Sequence, residues 1–550
     1  MTRRLRFALL LLILVAYAWR VQGLTNQSLW RDEVDAIYFA TRHLPDTLSM
    51  FVRAGQNGPL FFLALRPWFT LAGTSEFALR YVSVLGGTLT APLLWQVARR
   101  LAPARRDAPQ VDAAEQEIAS GQREASGKVA SHYHTTDVHA TPLLAAAFLA
   151  LNPYQLWYSQ EGKMYTVITA LVLLATLFFW EGVTRGGWRP WLGYLLTVTV
   201  ALYTHLLLIL LYPLHFLWFL IAWPQSRRHW KGYALAMAGL ILPYAPMVWW
   251  QWDLLTADRQ MTGFAFTPLT EMLRVLLLNH SRGFMPPVAL LWMGPVFFLG
   301  AAGMILGGGE IASQRVRADG SAGATLAPWR RLLLLLSWLM APILFIYLLS
   351  LRQPIFTDRY LVWIAPAAMI FLTLGIQAVR RYAGPFSGGV AAALAVYVLV
   401  FWLFGGWQQK TLPMKYDLRS GVAYVTAQRT PGSLLILQIP HLEYAMRYYS
   451  SDFGPRPFED SDARLAPWAG GLWTNNGWPD DQARQLADQQ MREITASMGD
   501  VWVLRSEVEM WDQRHLMQEW LESRGTPADQ ADFHGVQVRR YLLSPTAPGE

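Results

Sequence analysis

The sequence has no cysteine among its 550 residues and has few charged side chains. The absence of cysteine excludes disulfide bonds, a thiol nucleophile and a thiolate metal site. Charged residues make up only 15% of the chain, against roughly 25% in soluble domains. By contrast, 53% of the residues are hydrophobic, and the chain contains 26 tryptophans and 22 tyrosines. These proportions are typical of a protein with many membrane interfaces.

Long apolar runs recur from the N-terminus to residue 405. Because a bilayer core needs about 20 mostly apolar residues per helix, each run predicts a membrane-spanning helix. His205 divides one long run. Two helices are predicted there, because a single helix would place the basic clusters described below on different sides of the membrane. About eleven spans are predicted, at 7–24, 76–100, 141–158, 164–183, 190–204, 206–223, 232–250, 287–307, 332–351, 360–379 and 388–405.

Short basic clusters predict the orientation of these spans. The clusters are Arg3, Arg4 and Arg6; Arg99 and Arg100; Arg185 and Arg189; Arg227, Arg228 and Lys231; Arg330 and Arg331; and Arg380 and Arg381. With eleven spans, all six clusters fall on one side, which the positive-inside rule makes cytoplasmic. We therefore expect a multi-pass plasma-membrane protein with a cytoplasmic N-terminus. The net charge of +8 is an orientation signal, and no nucleic-acid partner is expected.

Two regions outside the spans differ in character. Residues 102–140 are polar and poor in aromatics, which predicts a disordered cytoplasmic insertion in the 1–405 membrane domain. Residues 406–550 predict an extracytoplasmic α/β domain, because strand and helix patterns alternate there. This domain lacks a Gly-rich phosphate loop, so an accessory or substrate-guiding role is expected. Its predicted strands are 433–439, 501–506 and 536–543, and its predicted helices are 419–428, 442–450 and 514–525.

Ionisable residues collect at the outer ends of several predicted spans, where such groups are functional candidates by default. The stretch SLWRDEVDAIYFA (28–40) is one example. Here Asp32 is either a helix cap with Asp35 three residues on or a catalytic carboxylate. Glu161 and Lys163 have a similar alternative as a snorkelling interfacial pair. In the same way, His205 fits a structural histidine, and Arg359 with Asp358 fits a surface ion pair.

The order of short motifs resembles that of a known family. The motifs are Trp30-Arg31-Asp32-Glu33, Asn57-Gly58-Pro59-Leu60-Phe61-Phe62, Ser75 to Arg80, Ser159-Gln160-Glu161-Gly162-Lys163-Met164-Tyr165, Tyr203-Thr204-His205 and Arg359-Tyr360-Leu361. In this order the chain resembles the prokaryotic lipid-dependent glycosyltransferases of the GT-C fold. That superfamily includes the protein O-mannosyltransferases of glycosyltransferase family 39 and the lipid A aminoarabinose transferases. The resemblance covers about residues 1–405, and the tail resembles the exported α/β extension of such proteins.

Two positions depart from the family pattern. Asn57 and Gly58 stand where the family usually has His-Pro or Glu-Pro, which argues against a metal site in that loop. Lys163 stands where arginine is commoner, so the bidentate fork for phosphate is lost while a point charge is kept.

The resemblance implies a mainly α, polytopic helical bundle of GT-C type with a C-terminal extracytoplasmic α/β domain. It implies transfer of mannose, or a similar pentose or hexose, from a polyprenyl monophosphate embedded among membrane lipids. The acceptor would be a hydroxyl of a protein, lipid or glycan on the extracytoplasmic side. Cations are needed beside the leaving phosphate, and a carboxylate is needed to take the acceptor proton.

These requirements assign expected roles to particular residues. Asp32 is the expected catalytic base, with Glu33 shaping the site or holding an optional divalent ion; no other cofactor is expected. This hypothesis requires Asp32 to share a pocket with Lys163 and Arg359. The expected donor-binding residues are Lys163, Arg359 and Arg80 for the phosphate charge, and Glu161, Tyr165, His205 and Tyr360 for phosphate or sugar.

Other function classes stay open at this point. A transporter or flippase of a lipid-linked sugar would place ionisable groups near the bilayer midplane and show a repeat between its halves. The sequence shows no such repeat. A membrane sensor would use the C-terminal domain as its receptor and would not require Asp32 or Glu161. An enzyme that transfers a whole oligosaccharide from a lipid diphosphate would carry similar charges.

Overall fold

The computed structural model describes residues 2–101, 137–256, 264–285, 292–313, 326–430, 432–439, 441–450, 465–467, 479–496, 498–508, 512 and 514–544. Of the predicted insertion at 102–140, residues 102–136 lie outside the described residues. Its last four residues begin the helix Asp137–Leu151. The prediction of disorder in the insertion therefore stays a prediction.

The described chain up to residue 411 is helical, and a helix overlaps each of the eleven predicted spans. Within this described part, short 3₁₀ segments lie at Leu206–Leu210, Arg227–His229, Asp358–Ile364 and Gly384–Phe386. The α-helices are Arg3–Val21, Arg31–Thr41, Leu44–Phe51, Leu60–Ala72, Glu76–Leu101, Asp137–Leu151, Pro153–Ser159, Tyr165–Arg185, Trp188–Thr204, Leu211–Ile221, Trp223–Ser226, Trp230–Trp250, Trp252–Thr256, Leu269–Arg282, Gly294–Ser313, Pro328–Ser350, Ala365–Tyr382 and Ser387–Thr411.

Among the described residues, six helical segments are long and apolar enough to cross a membrane. They are Glu76–Leu101, Tyr165–Arg185, Arg227–Trp250, Pro328–Ser350, Asp358–Tyr382 and Gly384–Thr411. Shorter apolar helices occupy Leu60–Ala72, Thr141–Leu151, Leu206–Ile221 and Gly294–Gly307. The predicted polytopic helical membrane architecture is therefore confirmed, and about eleven remains the predicted number of spans.

The predicted span 141–158 is broken in the structure at Asn152. Its side-chain oxygen accepts a hydrogen bond from the Gln155 amide (3.1 Å), and Pro153 occupies the first position of the next helix. Proline has no amide hydrogen and suits that first position. The short helix Pro153–Ser159 is thereby free to leave the axis of Asp137–Leu151 and to carry its own set of polar side chains.

Two helices of the bundle approach each other very closely. Gly303, in Gly294–Ser313, faces the backbone of Ala365–Tyr382, and a Cβ atom on Gly303 would lie only 1.8 Å from the Phe371 carbonyl oxygen. Membrane helices without a hydrophobic driving force between them gain contact through small residues of this kind. The packing of this pair therefore depends on glycine at position 303.

Contacts divide the chain into two compact units, each of which is discontinuous in sequence. The helical unit consists of Met1–Gly23, His43–Leu71 and Arg80–Gln409. The C-terminal unit consists of Leu24–Arg42, Ala72–Leu79 and Lys410–Glu550. The domain boundary between residues 405 and 406 stays a prediction.

A mixed five-stranded sheet forms the core of the C-terminal unit. Its strands are β1 (Leu434–Leu437), β2 (Leu465–Pro467), β3 (Asp500–Ser506), β4 (Gly525–Phe533) and β5 (Val536–Leu543), in the order β2-β1-β3-β5-β4. Strand β1 pairs in parallel with β2 and β3, whereas β5 is antiparallel to β3 and β4. The accompanying helices are Leu418–Gln428, Leu442–Tyr449, Asp480–Ile494 and Leu516–Arg524. The predicted α/β fold of this region is confirmed.

Nearly all residues of the central strands β1 and β3 are buried. Since successive strand side chains point to opposite sides, both faces of the sheet are covered at these two strands. One face packs against helices Asp480–Ile494 and Leu516–Arg524 through a buried cluster of residues that includes Ile436, Val503 and Tyr541. The helix Leu418–Gln428 packs against β3 and β5. The sheet is therefore a stable platform for residues at its strand ends.

Strand β4 is not predicted from the sequence. Its residues, GTPADQADF, are mostly polar and include Pro527. Among the described strands, β4 lies at the sheet edge, where it pairs with β5 and is irregular between Pro527 and Asp529. A proline is tolerated at an edge or bulge, because no ladder hydrogen bond is needed from its nitrogen.

Candidate functional site

A carboxylate of the helical unit gathers three side chains from distant parts of the sequence. Oδ2 of Asp358 accepts hydrogen bonds from the hydroxyls of Tyr154 (3.1 Å) and Tyr158 (3.2 Å). The same oxygen accepts a third bond from Nδ2 of Asn279 (2.8 Å). The two tyrosines are four residues apart on Pro153–Ser159, so they lie on one face of that helix. The alternative of a plain surface ion pair for Asp358 is therefore wrong.

His205 lies beside this carboxylate cluster, between the predicted spans 190–204 and 206–223. Its ring packs edge-on to Tyr360 with centroids 4.9 Å apart and lies 6.2 Å from the ring of Tyr165. Nδ1 accepts a hydrogen bond from the Leu207 amide (3.3 Å). The buried Nε2 has no partner among the described residues, so His205 is only half satisfied as a structural histidine.

Burial, and secondarily the positive charge of Arg359, lowers the pKa of His205 to about 3. The imidazole is therefore neutral at physiological pH. Its Nδ1 already accepts a hydrogen bond, so Nε2 carries the ring proton in this tautomer. A neutral ring with a free N–H can donate to a phosphate or sugar oxygen.

The segment 159–165 joins the same cluster through Tyr165, whose ring lies 5.1 Å from that of Tyr158. Glu161 and Arg359 are close enough to Tyr158 for their opposite charges to act on its hydroxyl. Glu161 and Lys163 are both buried, which argues against a snorkelling pair at the surface. Three of the six sequence motifs therefore contribute to one region of the helical unit.

Two further contacts fix Lys163. Its backbone carbonyl accepts a hydrogen bond from the Ser83 hydroxyl (2.7 Å), and its Nζ lies 5.5 Å from the centroid of the Phe62 ring. An ammonium group at this distance over an aromatic ring gains a cation–π attraction. Arg80 is buried one turn before Ser83 on the helix Glu76–Leu101, so it lies on the same side of that helix.

The segment 57–62 is also held close to the YTH motif. A Cβ atom on Gly58 would lie 2.0 Å from the carbonyl oxygen of Tyr203, so no other residue fits without backbone movement. Glycine at this position, which departs from the family pattern, therefore has a local steric reason.

An apolar groove begins close to His205. It has a volume of about 1040 Å³ and lies between Leu206–Ile221 and Trp230–Trp250. Ile209 is the first of its lining residues along the chain. Since a 3₁₀ helix rises about 2 Å per residue, Ile209 lies roughly 8 Å along the chain from His205. Other lining residues include Tyr212, Leu240, Tyr244, Val248 and Trp249.

Asp32 and Glu33 belong to the C-terminal unit. The helix that carries them begins at Arg31 and has Trp30 as its N-cap, so the alternative in which Asp32 caps the helix is wrong. Glu33 serves the helix start instead, because its Oε2 accepts a hydrogen bond from the Trp30 amide (3.4 Å). Asp32 is left one position into the helix, where an acidic side chain is favoured by the helix dipole.

Glu33 is engaged in a buried ion pair. Its Oε2 lies 3.1 Å from Nζ of Lys415, and the two side chains are 0% and 6% exposed. The Lys415 amide donates to Oε1 of Gln27 (2.8 Å), which ties the segment before the helix to the same place. Glu33 is therefore a structural anchor in this geometry.

The optional divalent ion at Asp32 and Glu33 does not fit these surroundings, since a lysine ammonium faces Glu33. In the part of the chain that the structure describes, no three His, Cys, Asp or Glu side chains converge into a group suited to a metal ion.

Asp32 faces Arg31, which is shared with a residue from the far end of the chain. The distance from Nη2 of Arg31 to Oδ1 of Asp32 is 3.7 Å, and Nε of Arg31 lies 3.0 Å from Oε1 of Glu507. Burial alone would lower the pKa of Arg31, but the charges of Asp32 and Glu507 raise it. The pKa of nearby His441 is lowered by burial and by the charge of Arg31, while Asp32 opposes this shift.

Sequence reasoning missed several of these residues. Asp358 was visible beside Arg359, but nothing in the sequence indicates that Tyr154, Tyr158 and Asn279 would meet on it. Glu507 and His441 lie in a region to which the sequence assigns only an accessory role. The expectation that Asp32 shares a pocket with Lys163 and Arg359 stays a prediction.

Comparisons with known proteins are informative only at the level of structure, since no protein-family model and no curated protein matches the sequence. ArnT from Cupriavidus metallidurans in the apo state superposes with a TM-score of 0.53 at 12% identity, over 96% of this chain and 97% of that one. ArnT bound to undecaprenyl phosphate gives a TM-score of 0.50 at 13% identity, over 98% and 99% of the two chains. The chain has the GT-C fold.

A third similar structure is arabinofuranosyltransferase AftD from Mycobacteria, with a TM-score of 0.50 and 14% identity. The match covers all of this chain but only 42% of AftD. The expected GT-C architecture is therefore confirmed. At such low identity the likeness concerns the fold, and the activity is argued from the site.

Proposed function

We propose that the protein transfers a single sugar from a polyprenyl monophosphate to an acceptor hydroxyl on the extracytoplasmic side of the membrane. The observation that carries the proposal is the cluster in the helical unit formed by His205, Tyr158, Tyr165, Arg359 and Tyr360. It combines a positive charge, aromatic walls and hydroxyl and imidazole donors, and the apolar groove begins beside it. A lipid phosphate needs both the cationic, hydrogen-bonding cluster for its phosphate and the apolar groove for its tail.

The lipid phosphate is a fair leaving group once its growing negative charge is neutralised. Arg359 and Lys163 are the cations assigned to this charge, and Arg80 supports them from the neighbouring helix. Charge-assisted hydrogen bonds of this kind strengthen as the sugar–phosphate bond breaks, so they stabilise the transition state more than the ground state. His205 donates a hydrogen bond from its Nε2–H group to a phosphate or sugar oxygen and stays neutral.

The groove between Leu206–Ile221 and Trp230–Trp250 is assigned to the polyprenyl tail. Apart from Asp253, its lining is made of aliphatic and aromatic side chains, as expected for a lipid chain. The ArnT structure bound to undecaprenyl phosphate supports a lipid phosphate of this class, because the fold is shared. Roughly 8 Å of 3₁₀ helix separates the groove from His205, which suits a phosphate at one end and a tail at the other.

Asp32 is assigned the role of general base. The acceptor oxygen attacks the anomeric carbon, the bond from that carbon to the phosphate oxygen breaks, and the acceptor proton moves to Asp32. Polyprenyl phosphate leaves with the electron pair. Removing a base of this type costs about 10²–10⁴-fold in rate. The extracytoplasmic side follows from the basic clusters, all of which the eleven-span topology places opposite Asp32.

The test uses the purified full-length protein with a panel of radiolabelled polyprenyl-phosphate sugars, including mannose and pentoses, and a membrane extract as acceptor source. Wild type should release polyprenyl phosphate and transfer label, and Asp32→Asn should lose about 10²–10⁴-fold in turnover. Asp46→Asn is the matched control, because Asp46 is exposed in the first turn of Leu44–Phe51.

A second measurement separates donor binding from chemistry. His205→Asn should weaken binding of polyprenyl phosphate alone, since it replaces the buried donor beside the groove, whereas Asp32→Asn should not. A folded wild type that releases no lipid phosphate with any donor would contradict the proposed transferase activity. Accumulation of unreacted lipid-linked sugar on the opposite leaflet of proteoliposomes would instead indicate a flippase.

A further inference from the structure

Glu507 occupies an unusual backbone position at the end of strand β3. Its φ angle is +53°, in the left-handed region that non-glycine residues rarely adopt. Glycine would hold this conformation with less strain. Residues kept in such conformations often act at functional sites. A glutamate at this position therefore calls for a role of its side chain.

The Glu507 side chain is buried and reaches Arg31, which lies 476 residues earlier in the chain. Oε1 accepts the Nε hydrogen of Arg31 at 3.0 Å. Glu507 thereby occupies Nε, one of the two donors on the Nε–Nη2 edge of the guanidinium group, and the other donor of that edge, Nη2, lies toward Asp32. A residue of the α/β domain thereby fixes the orientation of the Arg31 side chain.

The distance from Arg31 to Oδ1 of Asp32, 3.7 Å, is longer than a normal hydrogen bond. Arg31 therefore attracts this carboxylate oxygen without donating a close hydrogen bond to it. If Arg31 lost its anchor, its planar fork would be able to close on Asp32 as a bidentate pair. Such a pair would occupy the oxygen lone pairs that accept a proton.

We propose that Glu507 is a positioning residue for Asp32 and acts by anchoring Arg31. The inference rests on the proposed function, because it needs Asp32 to be the base. It assigns the C-terminal α/β domain a part in the chemistry: one of its strand ends sets the distance between a catalytic carboxylate and the arginine beside it. His441 and Asp35, the other ionisable groups near Arg31, are left unchanged in the test.

The test compares Glu507→Gln and Glu507→Gly with wild type in the donor assay. Misplacement of a catalytic group by about 1 Å can cost on the order of 10²-fold. Both variants should therefore lose about 10–100-fold in kcat, with KM for the lipid donor unchanged within about twofold. Glu507→Gly should also unfold at or above the temperature of Glu507→Gln, because glycine relieves the backbone strain. The matched control is Glu519→Gln, which alters an exposed ion pair of the same domain.

The decisive arm combines Glu507→Gln with Asp32→Asn. If Glu507 acts only through Asp32, the double variant should be no slower than Asp32→Asn alone, since residues of one unit are not additive. An equal further loss in the Asp32→Asn background would overturn the inference and indicate a general structural role.

Two other outcomes separate this inference from the function it rests on. Full activity of Glu507→Gln, together with loss of activity in Asp32→Asn, would refute the positioning role and leave the transferase proposal intact. Absence of lipid phosphate release by wild type would refute the transferase proposal itself. A raised donor KM with unchanged kcat in Glu507→Gln would also overturn the inference, because it would indicate a role in binding.

Discussion

Replacing Lys415 by methionine should destabilise the C-terminal unit strongly. The substitution keeps the length and apolar part of the side chain but removes the ammonium that faces Glu33 at 3.1 Å. At this distance the attraction between unit charges is about 5 kcal/mol at an effective dielectric constant of 20. Because Glu33 is fully buried, its carboxylate would be left without its counter-ion, and losses from such changes are about 3–5 kcal/mol.

Thermal unfolding of the detergent-purified protein, followed by tryptophan fluorescence, measures this loss. For a domain of 150–250 residues, each kcal/mol shifts the midpoint by about 2–4 °C, so Lys415→Met should lower it by roughly 6–20 °C. The double variant Glu33→Met with Lys415→Met should recover most of this shift, since two apolar residues leave no buried charge. Arg484→Met is the control: it breaks an exposed pair with Glu519 and should cost less than about 1 kcal/mol. If Lys415→Met and Arg484→Met shifted the midpoint equally, the assignment of Glu33 as a structural anchor would be refuted.

Three other predictions concern packing, pH and topology. Gly58→Ala should impair both folding and donor binding, because its Cβ would lie 2.0 Å from the Tyr203 carbonyl oxygen. The control is Gly294→Ala, whose Cβ meets nothing within 4 Å. Equal thermal unfolding midpoints for the two variants would contradict this prediction. Burial raises the pKa of Asp512 to about 6, above the usual value of about 3.9, so stability should be full below about pH 4 and fall by about 3 kcal/mol as pH rises through 6. The free energy of unfolding of Asp512→Asn, measured by chemical denaturation between pH 4 and 7, should lack this fall. A variant with the same pH dependence as wild type would contradict the prediction. Because the chain has no native cysteine, a thiol from Glu519→Cys should be labelled in intact cells by a membrane-impermeant maleimide, and labelling only after lysis would reverse the predicted orientation.

The sequence predicts the features of this protein that depend on local composition. Long apolar runs predict the helices, because a segment inside the bilayer must satisfy all of its backbone hydrogen bonds within the protein. Strands β1 and β3 are predicted because their continuous apolar residues need a core, and β5 is predicted because its apolar and polar residues alternate. The ordered motifs predict the GT-C fold although no single motif is specific, and solved structures at 12–14% identity share that fold.

What the sequence leaves unpredicted depends on contacts between distant residues. Asp32 looks like a helix cap until the structure shows that the helix begins one residue earlier, at Arg31. Glu33 looks catalytic because its partner, Lys415, lies in another motif-free stretch of the chain. Asp358 looks like half of a surface pair because Tyr154 and Asn279 carry no signal of their own. In each case the electrostatic environment decides the role, and a single sequence does not encode it visibly.

The discontinuity of the C-terminal unit has a consequence for biosynthesis. Glu33 emerges from the ribosome 382 residues before Lys415, which at 5–20 residues per second is roughly 20–75 s earlier. Throughout that interval the acidic helix has no ammonium group to neutralise it and must stay hydrated or be shielded by a chaperone. A premature stop codon before codon 415 would therefore leave Glu33, near the beginning of the protein, without the ammonium that faces it in the folded structure.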